Sequence, residues 1–272
     1  MVNSLTLSIM TIVFYITAAM SRLSPTSKMR FTAKQRLLIL GMVAVGLHGI
    51  LLYGQIFVSA GINFGFFNAA SLIAWGIALL LLVTLLAKPV ENLILALFPF
   101  AALTVGLEAY FPSHRILSTD MGFGVQLHIF YSILAYSILS ISALQAIFLA
   151  IQDYQLHHKH PGWALQMLPP LQVMETLLVQ MVGIGVVLLT ASLLSGVIFL
   201  EDIFAQHLVH KTVLSMLAWV VFVALLWGRW QYGWRGKTLV RWNLSGFFIL
   251  MLAYFGSKLV LELILKRTEL IN

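Results

Sequence analysis

Residues 207–241 read HLVHKTVLSMLAWVVFVALLWGRWQYGWRGKTLVR. Between Lys211 and Arg229 lie seventeen residues, 212–228, without a single charge. A bilayer core is about 30 Å thick and a helix rises about 1.5 Å per residue, so a run of this length and apolarity is a membrane-crossing helix. Two histidines, His207 and His210, stand before it. After it, Arg229, Arg235 and Lys237 are interleaved with Trp230, Tyr232, Trp234 and two glycines. Basic and amphipathic aromatic side chains at headgroup depth anchor a helix end. The stretch therefore sets candidate metal or haem ligands at one membrane face and an anchor at the other.

The remainder of the chain has the same character. Of its 272 residues, 61% are hydrophobic and 9% charged, with a mean hydropathy of +0.97. A soluble domain is far less apolar, so the chain is a polytopic membrane protein whose first partner is the lipid bilayer. The formal charge of +7 reflects membrane topology, and no basic run is long enough to track a phosphate backbone, which excludes nucleic acid as a partner. With no cysteine, the chain has no disulfide, thiolate metal site or cysteine nucleophile. There is no glycine-rich phosphate loop, G-x-S-x-G elbow, HExxH or intramembrane carboxylate pair, which argues against hydrolysis and ion-coupled transport.

The expected architecture is an all-α bundle, a single membrane domain over 1–272. Its eight spans lie at about 3–20, 37–58, 67–87, 90–107, 125–151, 173–200, 211–228 and 242–264. The first apolar run has no basic residue ahead of it and is followed by Arg22, Lys28, Arg30, Lys34 and Arg36, the reverse of a cleavable signal peptide. With the N-terminus outside, Lys88, Lys159, Arg229, Arg235, Lys237 and Arg241 also fall inside, making eleven of sixteen basic residues. Glu108, Asp120, Glu201, Asp202, Glu262 and Glu269 fall outside, and Glu91, Asp153 and Glu175 inside. Positive charge concentrates on cytoplasmic loops, so both termini are expected outside. Residues 61–68, GINFGFFN, read as a tight outer turn with an aromatic anchor. Gly183, Gly185 and Gly196 allow close helix approach in span six.

A polar group in hydrocarbon costs several kcal/mol unless partnered, so histidines within the spans are the functional leads. His48 lies near the middle of span two, with Gln55 on its face. It is either a neutral imidazole bonded to a neighbouring helix or a cofactor ligand or proton relay. His128 lies at the outer end of span five and heads a mildly polar stripe with Tyr131, Ser132, Ala135 and Ser142, suited to an axial ligand near the outer face. His207 and His210, three apart, could hold a metal, or be solvated loop residues. His157, His158 and His160 read as a polar turn, His114 as an isolated loop residue, and Lys258 as an ion-pair partner of Glu262.

Leu127-His128-Ile129, then 137–140 (SILS) and 143–146 (ALQA), resembles the histidine-led helix of the cytochrome c assembly superfamily, the haem-handling proteins of CcsA, CcmC and CcmF type. The likeness continues through 217–222 (LAWVVF), the Gly-Trp-Arg-Gly turn at 233–236 and 253–256 (AYFG), and spans about 37–265. It is strongest to the YpjD-like inner-membrane subgroup, with HemX-like relatives. The resemblance implies a bacterial inner-membrane location, haem as cofactor, and a second membrane or cytochrome-maturation protein as partner. It also implies that His128 takes the place of the first outer haem histidine, and that His48 matches an intramembrane histidine of the YpjD-like and HemX-like members. Where the haem exporters carry a tryptophan-rich loop, this chain has FAQHLVH at 204–210, and no histidine stands near Leu265 where their second outer ligand falls. Trp227 occupies the place of their inner membrane histidine.

Two functions remain open on this reading. One is haem binding, sensing or handling, related to cytochrome c assembly or haem biosynthesis control, without enzymatic turnover. It uses His128 and His48, with His210 or His207 as a substitute for the missing second outer ligand. From the span limits His48 lies roughly 15 Å below the outer surface and His128 near it, which leaves one shared site or two different sites open. The other is an accessory or scaffold protein that keeps the fold, has lost haem and supports another membrane complex.

Overall fold

The computed structural model describes residues 4–23, 32–58, 61–111, 116–117, 122–158, 168–199 and 209–256. Among them, eight helices are long and apolar enough to cross a membrane. In chain order these are α1 (Ser4–Ser21), α2 (Ala33–Ile56), α3 (Phe66–Ala87), α4 (Ile94–Tyr110, preceded by a 3-10 turn at Glu91–Leu93), α5 (Phe123–His157), α6 (Leu171–Phe199), α7 (Val209–Tyr232) and α8 (Lys237–Met251). A π-helical turn, Leu252–Gly256, extends α8. Each coincides with one of the eight expected spans, although the ends differ.

The differences have local causes. Span two starts at Ala33 because Thr32 caps it: Gln35 N–H donates to Thr32 Oγ1 at 3.2 Å and Thr32 N–H to Gln35 Oε1 at 3.0 Å. Such a reciprocal box satisfies two otherwise orphan donors, so the helix outruns its apolar run. Helix α5 has 35 residues, roughly 50 Å at the helical rise, and therefore extends beyond a 30 Å core. Helix α8 starts five residues before the apolar run at Trp242, directly after a turn in which Gly233 (φ 64°) and Gly236 (φ 52°) take left-handed conformations that suit glycine. Residues 61–63 form a strand where the sequence reads a turn. Strands β1 (Phe57–Val58), β2 (Gly61–Asn63) and β3 (Ile116–Leu117) make an antiparallel sheet in that order, with Phe57 opposite Ile62 and Ile62 opposite Leu117. β-branched and aromatic residues support pairing in such a short hairpin.

The chain divides into two compact units, Met1–Asp120 and Met121–Asn272. The first holds α1–α4 and the sheet. Its core is built on Tyr15, Leu37, Leu81, Leu85, Ile94 and Phe98, all buried, and the Trp75 indole N–H donates to the Val45 carbonyl at 2.9 Å, tying α3 to α2. The second holds α5–α8. There Gly185 lies directly against Leu139 and Gly124 against Phe199, leaving no room for a side chain at either glycine. Gly183, expected to share this role, faces open space.

In lipid, small residues and interhelical hydrogen bonds hold helices together, and both are present. Asn243 on α8 and Ser142 on α5, both buried, exchange two bonds: Asn243 Nδ2 to Ser142 O at 3.0 Å and Ser142 Oγ to Asn243 Oδ1 at 3.2 Å. Gln152 donates to the Pro169 carbonyl at 3.0 Å and Trp219 to Thr190 Oγ1 at 2.8 Å. Large apolar side chains such as Ile50, Leu86, Leu103, Val187 and Ile198 are exposed, the surface a lipid-facing protein presents.

Candidate functional site

His128 is in the second turn of α5, and a specific pair of helices orients its ring. Nδ1 donates its proton to the backbone carbonyl of Ser192 on α6 at 2.8 Å. A carbonyl only accepts, so this bond assigns the tautomer: Nδ1 carries the hydrogen and Nε2 keeps a lone pair. Ser132, one turn on, donates to the His128 carbonyl at 2.7 Å and meets Ser192 Oγ at 2.7 Å. Ser195 Oγ also donates to the Ser192 carbonyl, at 2.9 Å. On α6, Gly196 lies against the imidazole so closely that a Cβ there would stand 3.1 Å from Cε1 and Nδ1. Gly185, Ser192 and Gly196 recur at helical spacing, so one stripe of α6 admits α5 and grips the ring. An imidazole with one nitrogen anchored to a carbonyl and the other free is the arrangement that metal-ligating histidines use. The polar stripe read below His128 is present: Ala135 and Ser142 are buried, and Ser132 and Ser142 both bond across helices.

His48 is organised differently. It is fully buried in the first unit, with Nδ1 3.0 Å from Tyr15 Oη on α1 and Nε2 2.9 Å from Ser71 Oγ on α3. The Tyr15 ring meets the imidazole edge-on, with centroids 5.7 Å apart. Both nitrogens are thus engaged, and His48 would ligate iron only by giving up one of these bonds. His48 belongs to the first unit and His128 to the second.

The remaining candidates contribute less geometry. His207, His114, His160, Lys258 and Glu262 lie outside the described residues, as does the 204–208 part of the segment that replaces the tryptophan-rich loop. His210 falls in the first turn of α7, with its side chain outside the description. His157 and His158 close the end of α5 rather than form an open turn. His157 Nδ1 donates to the Asp153 carbonyl at 2.8 Å and sits 3.3 Å from its carboxylate, while His158 donates to the Tyr154 carbonyl at 2.9 Å and stacks on its ring. Among the described residues, no group of three or more histidine or acidic side chains could hold a metal. Trp227 is more than half exposed and packs against Trp230, with centroids 5.7 Å apart.

Two acids that the sequence sorts with the surface charges are buried. Glu175, counted among the inner acids, accepts the Gly236 N–H at 2.6 Å and stands 3.9 Å from Arg229 Nη1. Arg229 in turn donates to the Trp234 carbonyl at 2.7 Å, and the Trp234 ring lies directly over Gly228. Glu175, Arg229 and Gly228 thereby hold the Gly-Trp-Arg-Gly turn closed. Glu108, counted among the outer acids, is buried in the last turn of α4. A charge near the end of an apolar run reads as solvated, because the packing that buries it comes from other helices.

Comparison with known proteins agrees with this architecture. The cytochrome C assembly protein family matches residues 37–265. The chain is 34% identical over 229 residues to the inner membrane protein YpjD of Escherichia coli strain K12, covering 84% of this chain and 87% of that relative. It is 26% identical over 110 residues to the cytochrome c biogenesis protein CcsA of Picosynechococcus, covering 40% of this chain and 32% of CcsA. It is also 30% identical over 169 residues to an uncharacterized 28.8 kDa protein of Azospirillum brasilense, with 60% and 62% covered. No solved structure matches the chain. The eight membrane-length helices, the Gly-Trp-Arg-Gly turn that closes on Glu175 and a match across most of the length lead to one conclusion: this is a multi-pass inner-membrane protein that belongs to the cytochrome c assembly protein family.

Proposed function

We propose that the protein binds or handles haem in the inner membrane, without enzymatic turnover, and that His128 Nε2 is an axial ligand. The observation that carries this reading is the Nδ1 bond to the Ser192 carbonyl, which turns the free lone pair of Nε2 away from α6. The residues present fit the group: an imidazole of defined tautomer, held against a glycine, near one end of two long helices. Haem held there would supply an iron centre whose redox behaviour follows its axial ligand and burial. The protein's own contribution is orientation, with Ser132, Ser192 and Gly196 holding the ring to one rotamer. The likeness to CcsA, whose name places it in cytochrome c biogenesis, supports haem as the cargo. His207 or His210, just ahead of the α7 apolar run, would supply the second ligand. His48, with both nitrogens bonded, is the weaker ligand of the pair.

A second reading, an accessory protein that supports another membrane complex without haem, draws on the 204–210 segment in place of a tryptophan-rich loop and on the bonded state of His48. The two part in a visible spectrum of the detergent-purified protein, oxidised and reduced. Haem handling predicts a Soret band that is lost in His128→Ala and kept in His48→Ala. No band after haem is supplied, or one indifferent to His128→Ala, would favour the accessory reading.

A further inference from the structure

We propose that the turn between α7 and α8 is a binding site for the headgroup of an anionic phospholipid, with Arg235, Lys237 and Arg241 taking its phosphate. The three side chains are exposed, and among the described residues no acid pairs with any of them. The described residues of the second unit include two acids, and both are committed elsewhere. Glu175 is buried, accepts the Gly236 N–H at 2.6 Å and stands 3.9 Å from Arg229. Asp153 stands 3.3 Å from His157. The positive charge is also set against the electrostatics of its own helix. Lys237 and Arg241 lie four residues apart in the first two turns of α8, on one face, and no acid falls in the first turn. Like charges at that spacing repel, and a helix N-terminus carries a partial positive charge that favours an anion. A bound anion offsets both costs.

The turn holds this charge in a fixed shape. Gly233 (φ 64°) and Gly236 (φ 52°) reverse the chain, Arg229 Nη1 donates to the Trp234 carbonyl at 2.7 Å, and the Trp234 ring covers Gly228. Arg229 and Glu175 thus brace the turn from within, while Arg235, Lys237 and Arg241 stay free for a ligand. Depth identifies that ligand. The membrane-length helix α7 ends here, and Trp230 and Tyr232 are 78% and 70% exposed. The Trp234 ring centroid lies 5.1 Å from that of Trp242 and 6.5 Å from that of Tyr232. Exposed indole and phenol rings sit at headgroup level, which puts the three cations in the layer of the lipid phosphates. A guanidinium meets a phosphate with two parallel N–H bonds, and basic pockets at the ends of membrane helices bind anionic headgroups. A zwitterionic headgroup brings its own cation, which the basic side chains repel, so the site selects a headgroup with net negative charge.

The test needs no haem, so it stands apart from the reading of His128. Phosphatidylglycerol and phosphatidylcholine are titrated in turn into the delipidated full chain in detergent, and bound lipid is counted by native mass spectrometry. The tightest step is expected to favour phosphatidylglycerol. Arg235→Gln, Lys237→Gln and Arg241→Gln, each at an exposed and unpaired position, should weaken that step roughly fivefold apiece and leave phosphatidylcholine binding as it was. The triple variant should bind the two lipids alike. Removing three charges from the first unit instead, in Arg22→Gln/Lys34→Gln/Lys88→Gln, should leave the tightest step unchanged. Equal weakening in that control, or equal affinity of the native chain for the two lipids, would overturn the proposal. Displacement of the lipid by inorganic phosphate at the lipid's own affinity would also overturn it, by assigning the turn to a soluble anion.

Discussion

At the scale of single residues, the histidines separate by what each ring nitrogen does. His48 spends both nitrogens on Tyr15 and Ser71; His128 spends one on a backbone carbonyl and keeps one. Sequence spacing places both rings inside spans but says nothing of this difference, because the partners lie 33, 23 and 64 residues away on other helices. The burial of Glu108 and Glu175 also escapes the sequence, because the helices that cover them are distant in the chain. The grip on His128 depends on Gly196, where a methyl group would press on Cε1 and Nδ1 at 3.1 Å. Gly196→Ala should therefore turn the ring and weaken haem affinity roughly tenfold, the lower range for losing an orienting neighbour of a metal ligand, with the helical circular dichroism unchanged. Haem titration of the two purified proteins checks this; equal affinities would mean that α6 does not set the ring.

At the scale of elements, the apolar runs are legible because hydrocarbon admits few structures other than helices whose backbone bonds close internally. All eight helices are found, and each miss lies at an end or a link. Thr32 and Gln35 lengthen α2 beyond its apolar run, Gly233 and Gly236 start α8 early, and 57–63 pair as strands. These features depend on capping and left-handed glycines rather than on hydropathy. Pairing between elements is legible only in part: Gly185 and Gly196 meet α5 as the small-residue spacing suggests, and Gly183 does not. The α5–α8 contact rests on the two-bond exchange between Asn243 and Ser142. Interhelical hydrogen bonds in membranes contribute about 0.6 kcal/mol and at most about 1.7. Asn243→Ala should accordingly lower unfolding stability in mixed micelles by about 1 kcal/mol, with Ser142→Ala adding little in the double variant. Additive losses would show that the two side chains do not act as a pair.

For the whole molecule, family membership follows from a match over 37–265, which agrees with the stretch read from the residues. We propose that both termini face outward, on the strength of the eleven-to-five distribution of basic residues across the two faces. A reporter active only in the cytoplasm, fused at Asn272, should be silent, and the same reporter in the 229–241 connection should be active. Activity at Asn272 would reverse the orientation and put His128 at the cytoplasmic face. The central claim, that His128 ligates haem through Nε2, has a direct measurement in a ligand-replacement experiment. His128→Gly removes the imidazole and opens the space it filled, and free imidazole can then be supplied in solution. The account predicts that the Soret band of the haem-loaded protein is lost in His128→Gly and returns on adding imidazole. A full band in His128→Gly without imidazole would contradict it.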